Sequence, residues 1–498
     1  MSQVVGNGTS VIVVGGGNAG FCAAQSARDA GAEVTLLEKG VESEAGGNSF
    51  YTAGAFRVVH RGVDSVRNVT EDTTTLQRLD DTDLEPYTPE QFRADLERVT
   101  GGRTDPTMAE ILVRESADVV SWLAAHGIEW RLMYERQAYE TGGRWVFSGG
   151  LAIGTVGGGR GLIEQHTRAA KDAGIEVRYG CTVTGLLGGS GEVHGVRLVD
   201  QGGREGVLRA DAVVLAAGGF ESNPEMREEH LGAGWSLAIV RGNPLNTGEV
   251  LQMALDLGAT PFGDWSSCHS VAWDSGAPAG GGDRELTNQL TRQSYPIGIV
   301  VNSDGKRFVD EGADFRNYTY AKYGREILRQ PGGAAWQIFD AVTRPLLRKE
   351  EYDSSPISKE KADTIEDLAI ALGIDPKGLQ RTVEEFNAAI VDRPFDPAVK
   401  DQRASRVQPP KSNWASAIAE PPFYGFAVSC GITFTFGGVR IDEHARVLNG
   451  DGTPVGGLFA AGEIAGGLFS GNYPGGSGLT AGTVFARLAG RCAATRAN

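Results

Sequence analysis

The stretch VIVVGGGNAGFCAAQSARDAGAEVTLLE, residues 11–38, decides the fold of the chain around it. It opens with four apolar, mostly β-branched residues, 11–14, which predict a buried parallel strand. A glycine-rich turn follows, then an Ala-rich segment with helical periodicity, 21–30, and a second apolar strand, 33–37. Strand, turn, helix and strand in this order are typical of a Rossmann-like α/β domain.

The turn carries the G-x-G-x-x-G spacing of a dinucleotide site in Gly15, Gly17 and Gly20. The first glycine allows the tight turn, the second lets backbone approach a pyrophosphate, and the third lets the helix pack on the strand. The helix N-terminus offers free N–H groups and a positive dipole end to phosphates. Glu38 follows Gly20 by 18 residues and can accept hydrogen bonds from ribose hydroxyls. The alternative interpretation is a glycine-rich turn that binds no ligand.

Composition argues against several classes of protein. The length of 498 residues predicts two domains, and 41% hydrophobic residues support a substantial core. A net charge of −16, with no run of Lys or Arg longer than two, argues against nucleic acid or an anionic membrane as partner. The five cysteines are scattered and form no C-x-x-C pair, so no metal site is expected. No signal peptide or membrane-spanning apolar run is visible, so we expect a cytoplasmic protein without membrane insertion.

The loop AGGNSFYTAGAF, residues 45–56, is predicted to lie beside the nucleotide. Gly47 and Gly54 permit close approach of the backbone, and Asn48 and Ser49 offer hydrogen bonds. The alternative is an ordinary surface loop.

The segment DAVVLAAGGFE, residues 211–221, contains a further buried strand. The strand stops abruptly at a pair of glycines. Such a strand end places the backbone of Ala217 and Gly218 against a ligand.

The composition changes in the middle of the chain. Residues near 270–425 contain more Pro, Arg and aromatic residues, and one helix is predicted at 365–391. The glycine-rich pattern then resumes. We therefore predict one nucleotide-binding domain, formed by residues 1–270 and 430–498, that is interrupted by an inserted α+β domain at 271–429.

The C-terminal segment indicates which nucleotide is bound. A short strand ends at Gly462 and Glu463, and a helix opens near Ser477. The N-terminus of that helix can direct N–H groups at the electron-rich edge of an isoalloxazine ring, and Glu463 can accept from ribityl hydroxyls. NAD needs no such element, so the predicted cofactor is FAD. The predicted FAD-binding residues are Gly15, Gly17, Asn18, Ala19, Gly20, Glu38, Lys39, Gly47, Asn48, Ser49, Gly54, Ala217, Gly218, Gly462, Glu463, Ser477, Gly478 and Leu479.

The motifs taken together resemble one family. GGGNAG with Glu38, GGNS, VVLAAGGFE, NSDGKRFVDE, FTFGGV and GLFAAGEIAGG match the fumarate reductase/succinate dehydrogenase flavoproteins over essentially the whole chain. Within that group CHSVAWD, SYPIGIVVN, RFVDEGADFRNYTYAKYGR and NYPGGSGLTAG are similar to tricarballylate dehydrogenase-like proteins. The resemblance implies a glutathione-reductase-like FAD domain, a capping domain, and a substrate bound between them. It also implies non-covalent FAD, since GGNSFYTAG lacks the flavin-linking His of succinate dehydrogenases.

The same resemblance assigns roles to individual residues. His269 stands where fumarate reductases have a substrate-binding His, and Arg316 stands close to their proton-transfer Arg. Their second substrate His is replaced by Phe434, and their carboxylate-clamping Arg is replaced by Tyr473. Two partners of a C4 dicarboxylate are thereby lost, so succinate and fumarate are not the expected substrates.

Tyr473 in the motif NYPGG is instead similar to the C-terminal motif of 3-ketosteroid Δ1-dehydrogenases. There the Tyr hydroxyl and a nearby backbone N–H polarise a ketone, and a second Tyr acts as base. Tyr318, beside Arg316, is the best candidate for that base, and Tyr320 is another. The predicted catalytic residues are Arg316, Tyr318, Tyr473 and His269.

These assignments imply an FAD-dependent dehydrogenase that forms a C=C bond next to a carboxylate or carbonyl. An α-proton leaves to a base and a β-hydride leaves to flavin N5. A tricarballylate-like polycarboxylate is the substrate class implied by the resemblance, and a cyclic ketone or oxo-cyclohexanecarboxylate is the alternative. The electrons would pass to an external acceptor, because the chain has no haem or iron–sulfur ligand pattern. A non-catalytic flavin-binding protein is the alternative from another class.

Structural roles compete with these functional ones. Tyr318 and Tyr320 could be core aromatics, and His269 could be a structural histidine. Arg316 could pair with Asp310 or Asp314. Arg241 is predicted to bind either a substrate carboxylate or an acid at the domain boundary.

Overall fold

The computed structural model describes residues 8–353 and 357–495. The strands in these ranges are β1 Ser10–Val14, β2 Glu33–Leu37, β3 Ala55–Phe56, β4 Thr82–Asp83, β5 Trp130–Leu132, β6 Ala138–Thr141, β7 Arg144–Phe147, β8 Ile153–Thr155, β9 Glu176–Arg178, β10 Thr182–Gly189, β11 Glu192–Val199, β12 Glu205–Arg209, β13 Ala212–Leu215, β14 Ile239–Val240, β15 Pro261–Asp274, β16 Ile299–Val301, β17 Ala334–Phe339, β18 Lys359–Ala362, β19 Phe423–Val439, β20 Arg446–Leu448 and β21 Pro454–Ala460. The α-helices are α1 Asn18–Asp29, α2 Gly47–Phe50, α3 Val63–Arg67, α4 Thr73–Arg78, α5 Pro89–Thr100, α6 Pro106–Ala125, α7 Tyr134–Gln137, α8 Gly158–Asp172, α9 Pro224–Leu231, α10 Glu249–Asp256, α11 Tyr320–Leu328, α12 Lys349–Tyr352, α13 Ile365–Leu372, α14 Pro376–Ala388 and α15 Ser477–Thr495.

The larger sheet is built around β1. Within the described ranges it has nine strands, in the order β10-β11-β21-β13-β1-β2-β9, with β12 beside β11 and β20 beside β21. β1 pairs in parallel with β2 and β13, so that Val11 lies opposite Val34 and Ala212. The run of apolar residues in β1 is buried on both faces, as a central parallel strand requires. This is the Rossmann-like α/β arrangement that the sequence predicts.

A second sheet contains six strands in the described part of the chain, in the order β14-β19-β17-β16, with β15 and β18 also paired to β19. β15 and β19 form a long antiparallel pair from Pro261 opposite Val439 to Asp274 opposite Val428. A separate apolar cluster behind this sheet includes Ile299 and Leu379. The two long strands run from the predicted FAD domain into the predicted capping domain. The boundaries of that division stay a prediction.

The single helix predicted at 365–391 is wrong, because the chain forms two helices there. α13 ends at Gly373, which adopts a left-handed φ of 72° and caps the helix. Pro376 then begins α14. The first N–H groups of a helix have no intrahelical acceptor, so the N–H that proline lacks costs no hydrogen bond there. The glycine cap and the following proline therefore divide this helically periodic segment into two helices.

No helix of the described residues is long and apolar enough to cross a lipid bilayer. All five cysteines are buried and carry free thiols.

Candidate active site

A continuous cavity runs from the glycine turn after β1 to the first residues of α11. Most of the predicted FAD-binding residues line it, namely Gly15, Gly17, Asn18, Ala19, Glu38, Lys39, Gly47, Asn48, Ser49, Ala217, Gly218, Gly462, Glu463, Gly478 and Leu479. Gly20, Gly54 and Ser477 lie outside its lining. The three glycine-rich parts of the sequence, which are far apart along the chain, therefore border one space.

The positions of the first turn are occupied by glycine for different physical reasons. Gly15 has a φ of 110°, and a Cβ there would lie 2.3 Å from the carbonyl oxygen of Ala216. A Cβ on Gly20 would lie 1.8 Å from the Gly15 oxygen, so helix and turn could not approach. A Cβ on Gly17 would make only ordinary contacts, with the Ser49 hydroxyl at 3.5 Å and the Gly46 oxygen at 3.8 Å. Packing therefore requires Gly15 and Gly20, whereas Gly17 leaves bare backbone facing the cavity.

Glu38 is fixed at the end of β2 by two backbone donors. Its Oε2 accepts from the N–H of Gly16 and its Oε1 accepts from the N–H of Gly40, both at 2.7 Å. A carboxylate has about four acceptor sites, so capacity remains for ribose hydroxyls. The neighbouring Lys39 forms an ion pair with Glu249 at 2.8 Å.

Asn18 joins the N-termini of two helices at the cofactor cavity, α1 and α15. Its Nδ2 donates to the carbonyl of Leu479 and to the hydroxyl of Thr483, both at 3.1 Å. Its backbone N–H donates to Ser49 Oγ at 3.0 Å, and its Oδ1 lies 3.0 Å from His166 Nε2. The two helix N-termini consequently direct free N–H groups and positive dipole ends at one cavity. This donor set fits FAD, which presents a pyrophosphate and an electron-rich ring edge.

A pair of buried acids, Glu221 and Glu463, lies between these segments. Glu221 Oε1 accepts from Asn48 Nδ2 at 2.5 Å and from Asn246 Nδ2 at 2.7 Å. Glu463 Oε1 accepts from the N–H of Thr435 at 2.7 Å. Burial and the neighbouring Glu221 carboxyl raise the pKa of Glu463 well above its usual range. The raised pKa favours the protonated form of Glu463 beside Glu221.

The far end of the cavity is formed by two tyrosines in contact. Tyr320 Oη and Tyr473 Oη lie 2.5 Å apart, and the N–H of Gly476 points to Tyr473 Oη at 3.4 Å. Burial raises the pKa of both phenols. For Tyr473 the neighbouring Tyr320 raises the pKa further, well above its usual range, whereas the charges of Arg241 and Arg316 act against the rise at Tyr320. The charges of the two arginines therefore favour the ionised form of Tyr320.

His269 packs against both tyrosines. Its ring lies edge-on to Tyr320 at 5.0 Å and to Tyr473 at 4.9 Å, and it stacks on Phe434 at 5.1 Å. Burial, with the charge of Arg241, lowers the pKa of His269 well below its usual range. The imidazole is therefore neutral, and its Nδ1 has no hydrogen-bond partner among the described residues.

Arg316 lines the same cavity and is bound only by neutral acceptors. It donates to Gln293 Oε1 and to the carbonyl of Arg136, both at 2.5 Å, and to Gln137 Oε1 at 2.8 Å. It does not pair with Asp314, which binds Arg98 and Lys400 instead. Burial and the charge of Arg348 lower the pKa of Arg316 to about 9.

The structure does not bring Tyr318 into the cavity. Its hydroxyl donates to Asp95 Oδ2 at 2.6 Å and accepts from Arg57 Nη1 at 3.2 Å, in a cluster with Tyr87. The reason is local. Residues Arg316–Tyr318 form a 3₁₀ turn, and α11 begins only at Tyr320, so the two tyrosines leave the backbone in different directions. Tyr318 is therefore separated from the other predicted catalytic residues, Arg316, Tyr473 and His269, which line the cavity together with Tyr320.

Several polar residues of the cavity were not singled out by the sequence. They are Arg136, Gln137, Asn243, Asn246, Asn288, Gln293, Thr433 and Thr435. They come from α7, from the interior of β19 and from connecting segments, without a recognisable motif, and only the tertiary fold gathers them.

Comparisons with known proteins agree with this geometry. A family model described as "FAD binding domain" matches residues 10–479. A probable fumarate reductase of Shewanella frigidimarina is 32% identical, over 98% of this chain and 75% of that protein. A 3-oxosteroid 1-dehydrogenase of Mycobacterium tuberculosis is 29% identical, over 69% of this chain and 64% of that protein. The solved open conformation of a flavocytochrome c3 fumarate reductase superposes with a TM-score of 0.73 at 29% identity, covering 98% of this chain and 78% of the other.

Proposed function

We propose that this chain forms a C=C bond next to a carbonyl or carboxylate of a small-molecule substrate. The chain belongs to the FAD binding domain family and is an FAD-dependent oxidoreductase acting on CH–CH groups. The observation that carries the proposal is the contact between Tyr320 and Tyr473 at 2.5 Å, at the end of the cofactor cavity. When bound, FAD supplies the acceptor for one hydrogen and its electron pair. The chain itself must then remove the other hydrogen as a proton.

Tyr473 is the proposed donor to the substrate carbonyl. It keeps its proton because burial and Tyr320 raise its pKa, so it can donate to an oxygen on which charge develops. The N–H of Gly476 holds the phenol from the other side. This arrangement acidifies the α-hydrogen of the substrate.

Tyr320 is the proposed base. Its oxygen lies beside Tyr473, and the charges of Arg241 and Arg316 favour its ionised form. A phenolate accepts the α-proton more readily than a buried guanidinium can, because an arginine must first lose a proton at a high cost in free energy. Arg316 therefore serves by its charge, and we assign the proton transfer to Tyr320.

Two substrate classes are consistent with this chemistry. The tyrosine pair favours a ketone, such as a cyclic ketone or oxo-cyclohexanecarboxylate, because a phenol and a backbone N–H polarise a carbonyl oxygen. The buried arginines favour a carboxylate, such as a tricarballylate-like polycarboxylate. We also propose that FAD is held non-covalently and that an external acceptor removes the electrons.

Anaerobic reduction of the flavin by a panel of carboxylic acids and cyclic ketones tests the proposal. With a substrate that bleaches the flavin, Tyr320→Phe should slow reduction by a factor of about 10² to 10⁴, the usual range for a lost general base. Tyr473→Phe should slow it by about 10² to 10³, as for a lost oxyanion donor.

Tyr323→Phe is the matched control. Tyr323 lies on the same helix and is buried, but its hydroxyl donates to the carbonyl of Asp310 and it does not line the cavity. Its rate of flavin reduction should stay within about threefold of the parent. Full activity of Tyr320→Phe and Tyr473→Phe on every active substrate would disprove the assigned roles.

A further inference from the structure

Arg241 lines the cavity, but the proposed reaction gives its side chain no direct contact with the substrate. It is 7% exposed and lines the cavity together with Asn288 and Thr433. Its Nη1 donates to Thr433 Oγ1 at 2.7 Å, and its Nη2 donates to Asn288 Oδ1. Its Nε is buried and has no acceptor among the described residues.

The main chain holds this guanidinium firmly in place. Arg241 follows β14, which pairs in parallel with β19, and its own N–H donates to the carbonyl of Ile432 at 2.7 Å. The guanidinium lies over the ring of Trp273 at 5.7 Å. A Cβ on Gly431 would come within 2.7 Å of Trp273 and 3.4 Å of Arg241, so the glycine allows both side chains to pack there. The site is therefore built before any ligand arrives.

The charge of Arg241 is not compensated by the protein. Its two acceptors are neutral, and among the described residues it forms no ion pair with a carboxylate. Glu351 is the carboxylate whose charge acts on Arg241, and it pairs with Arg136 at 2.9 Å, while Glu350 contacts the same Arg136 guanidinium. A buried cation without a counter-ion is costly, and the missing partner must be an anion that enters through the cavity.

We infer that Arg241, Asn288 and Thr433 form a subsite for a carboxylate of the substrate, separate from the tyrosine pair that faces the reacting carbon. The inference rests on the proposed function, because it takes Tyr320 and Tyr473 to mark the reacting end. Thr433, which binds Arg241, precedes Phe434, and the Phe434 ring stacks on His269, which contacts both tyrosines, so the subsite lies beside the tyrosine pair. The planar guanidinium edge matches a carboxylate. The substrate is therefore an oxo acid or polycarboxylate and not a neutral ketone such as a steroid.

Equilibrium binding to the oxidised, FAD-loaded protein tests this subsite without turnover. The probes are tricarballylate and 3-oxocyclohexane-1-carboxylate. Each is compared, by isothermal titration calorimetry, with the ester in which every carboxyl group is methylated. The acids should bind at least 30-fold more tightly than the esters, because only the acids supply a counter-ion. Arg241→Gln should remove this preference and leave the affinity for the esters within about threefold. Arg329→Gln, which removes an exposed arginine paired only with Glu326, is the matched control and should change neither.

A second variant keeps Arg241 and gives the subsite a carboxylate that belongs to the protein. Asn288→Asp places a carboxylate where Arg241 now finds a neutral amide oxygen. It should raise the melting temperature of the protein and lower the affinity for both acids at least 30-fold. Both effects have the same cause, since the new carboxylate neutralises the buried guanidinium.

The outcomes separate the inference from the proposed reaction. Acids and esters that bind equally, acids that do not bind at all, or an Asn288→Asp variant with unchanged acid affinity would each overturn the subsite. Loss of FAD affinity in Arg241→Gln with unchanged acid preference would assign the arginine to the cofactor and overturn it too. Acids that bind with the expected dependence but never reduce the flavin would contradict the proposed reaction and leave the subsite intact.

Discussion

At the scale of single residues, the proposed chemistry depends on two phenols in contact. Tyr473 is buried, Tyr320 is half-buried, and the two share one short hydrogen bond. The charge of Arg241 favours ionisation of both phenols, and the charge of Arg316 also favours ionisation of Tyr320. The proposal assigns the base to Tyr320 and the donor to Tyr473.

The pH dependence of flavin reduction follows from this assignment. A base works when it is deprotonated, and burial raises the pKa of Tyr320 above the ordinary value of 10.0. The first-order rate of reduction at saturating substrate should therefore rise with pH, by about tenfold per unit at most below about pH 9, and less steeply above it, because Arg316, with a pKa of about 9, then loses the charge that favours the Tyr320 phenolate. Arg241→Gln should move this limb to higher pH, because it removes a charge that lowers the pKa of Tyr320.

Anaerobic stopped-flow measurements from about pH 6 to 10 check the expectation. Tyr320→Phe should have lost the limb. His269 is neutral across this range, since burial lowers its pKa, and contributes no limb of its own. A flat profile for the parent protein would argue against a tyrosine base.

At the scale of elements, the cofactor site consists of two helix N-termini that meet at the ends of parallel strands. Asn18 joins them by hydrogen bonds to Leu479 and Thr483. The glycine turn before α1 has one position that faces the cavity, Gly17, and one that faces the strand, Gly20. These two positions should respond differently to the same added methyl group.

Gly17→Ala and Gly20→Ala form a matched pair of variants. A Cβ on Gly17 meets no atom of the protein closer than 3.5 Å, so the apoprotein should keep its free energy of unfolding within about 0.5 kcal/mol. The affinity for FAD should fall at least tenfold, because the methyl group occupies the space of the cofactor. Gly20→Ala should instead destabilise the apoprotein by about 3 kcal/mol or more, since its Cβ would lie 1.8 Å from a backbone oxygen.

Thermal unfolding of both apoproteins and a flavin titration of each distinguish the two effects. The assignment fails if Gly17→Ala binds FAD as tightly as the parent, or if Gly20→Ala melts at the parent temperature.

At the scale of the whole molecule, one buried cluster of side chains links the loop that carries Tyr473 to the predicted inserted domain. Arg57 is fully buried and donates to the carbonyls of Gly475, at 2.8 Å, and Gly149, at 2.9 Å. It also contacts Tyr318, whose hydroxyl donates to Asp95. Tyr318 therefore has a structural role at the junction of three segments.

Tyr318→Phe measures that structural role. It removes a hydrogen bond to a carboxylate, so the free energy of unfolding should fall by about 1.5 to 3 kcal/mol. The rate of flavin reduction should stay within about threefold of the parent, because the hydroxyl lies outside the cavity. Chemical denaturation and anaerobic reduction supply the two measurements. A rate reduced a hundredfold or more, with unchanged stability, would return the base to Tyr318.

The sequence by itself predicted the Rossmann-like α/β sheet and FAD as the cofactor, and its resemblance to a known family gave the class of reaction. The sheet and the nucleotide turn rest on local order along the chain. The strand, the glycine turn, the helix and Glu38 occupy fixed spacings because each interaction links neighbouring residues. The motif around Tyr473 likewise carries its backbone donor, Gly476, three residues away.

Only the tertiary structure decided which tyrosine faces Tyr473 and where the pocket holds its charges. Tyr318 and Tyr320 are two residues apart, and the start of α11 alone sends one to Asp95 and the other to the cavity. Arg241 meets Asn288 and Thr433 only after β14 and β19 have paired. A side chain's partners across long sequence separations depend on strand pairing and burial, and no local pattern in the sequence records them.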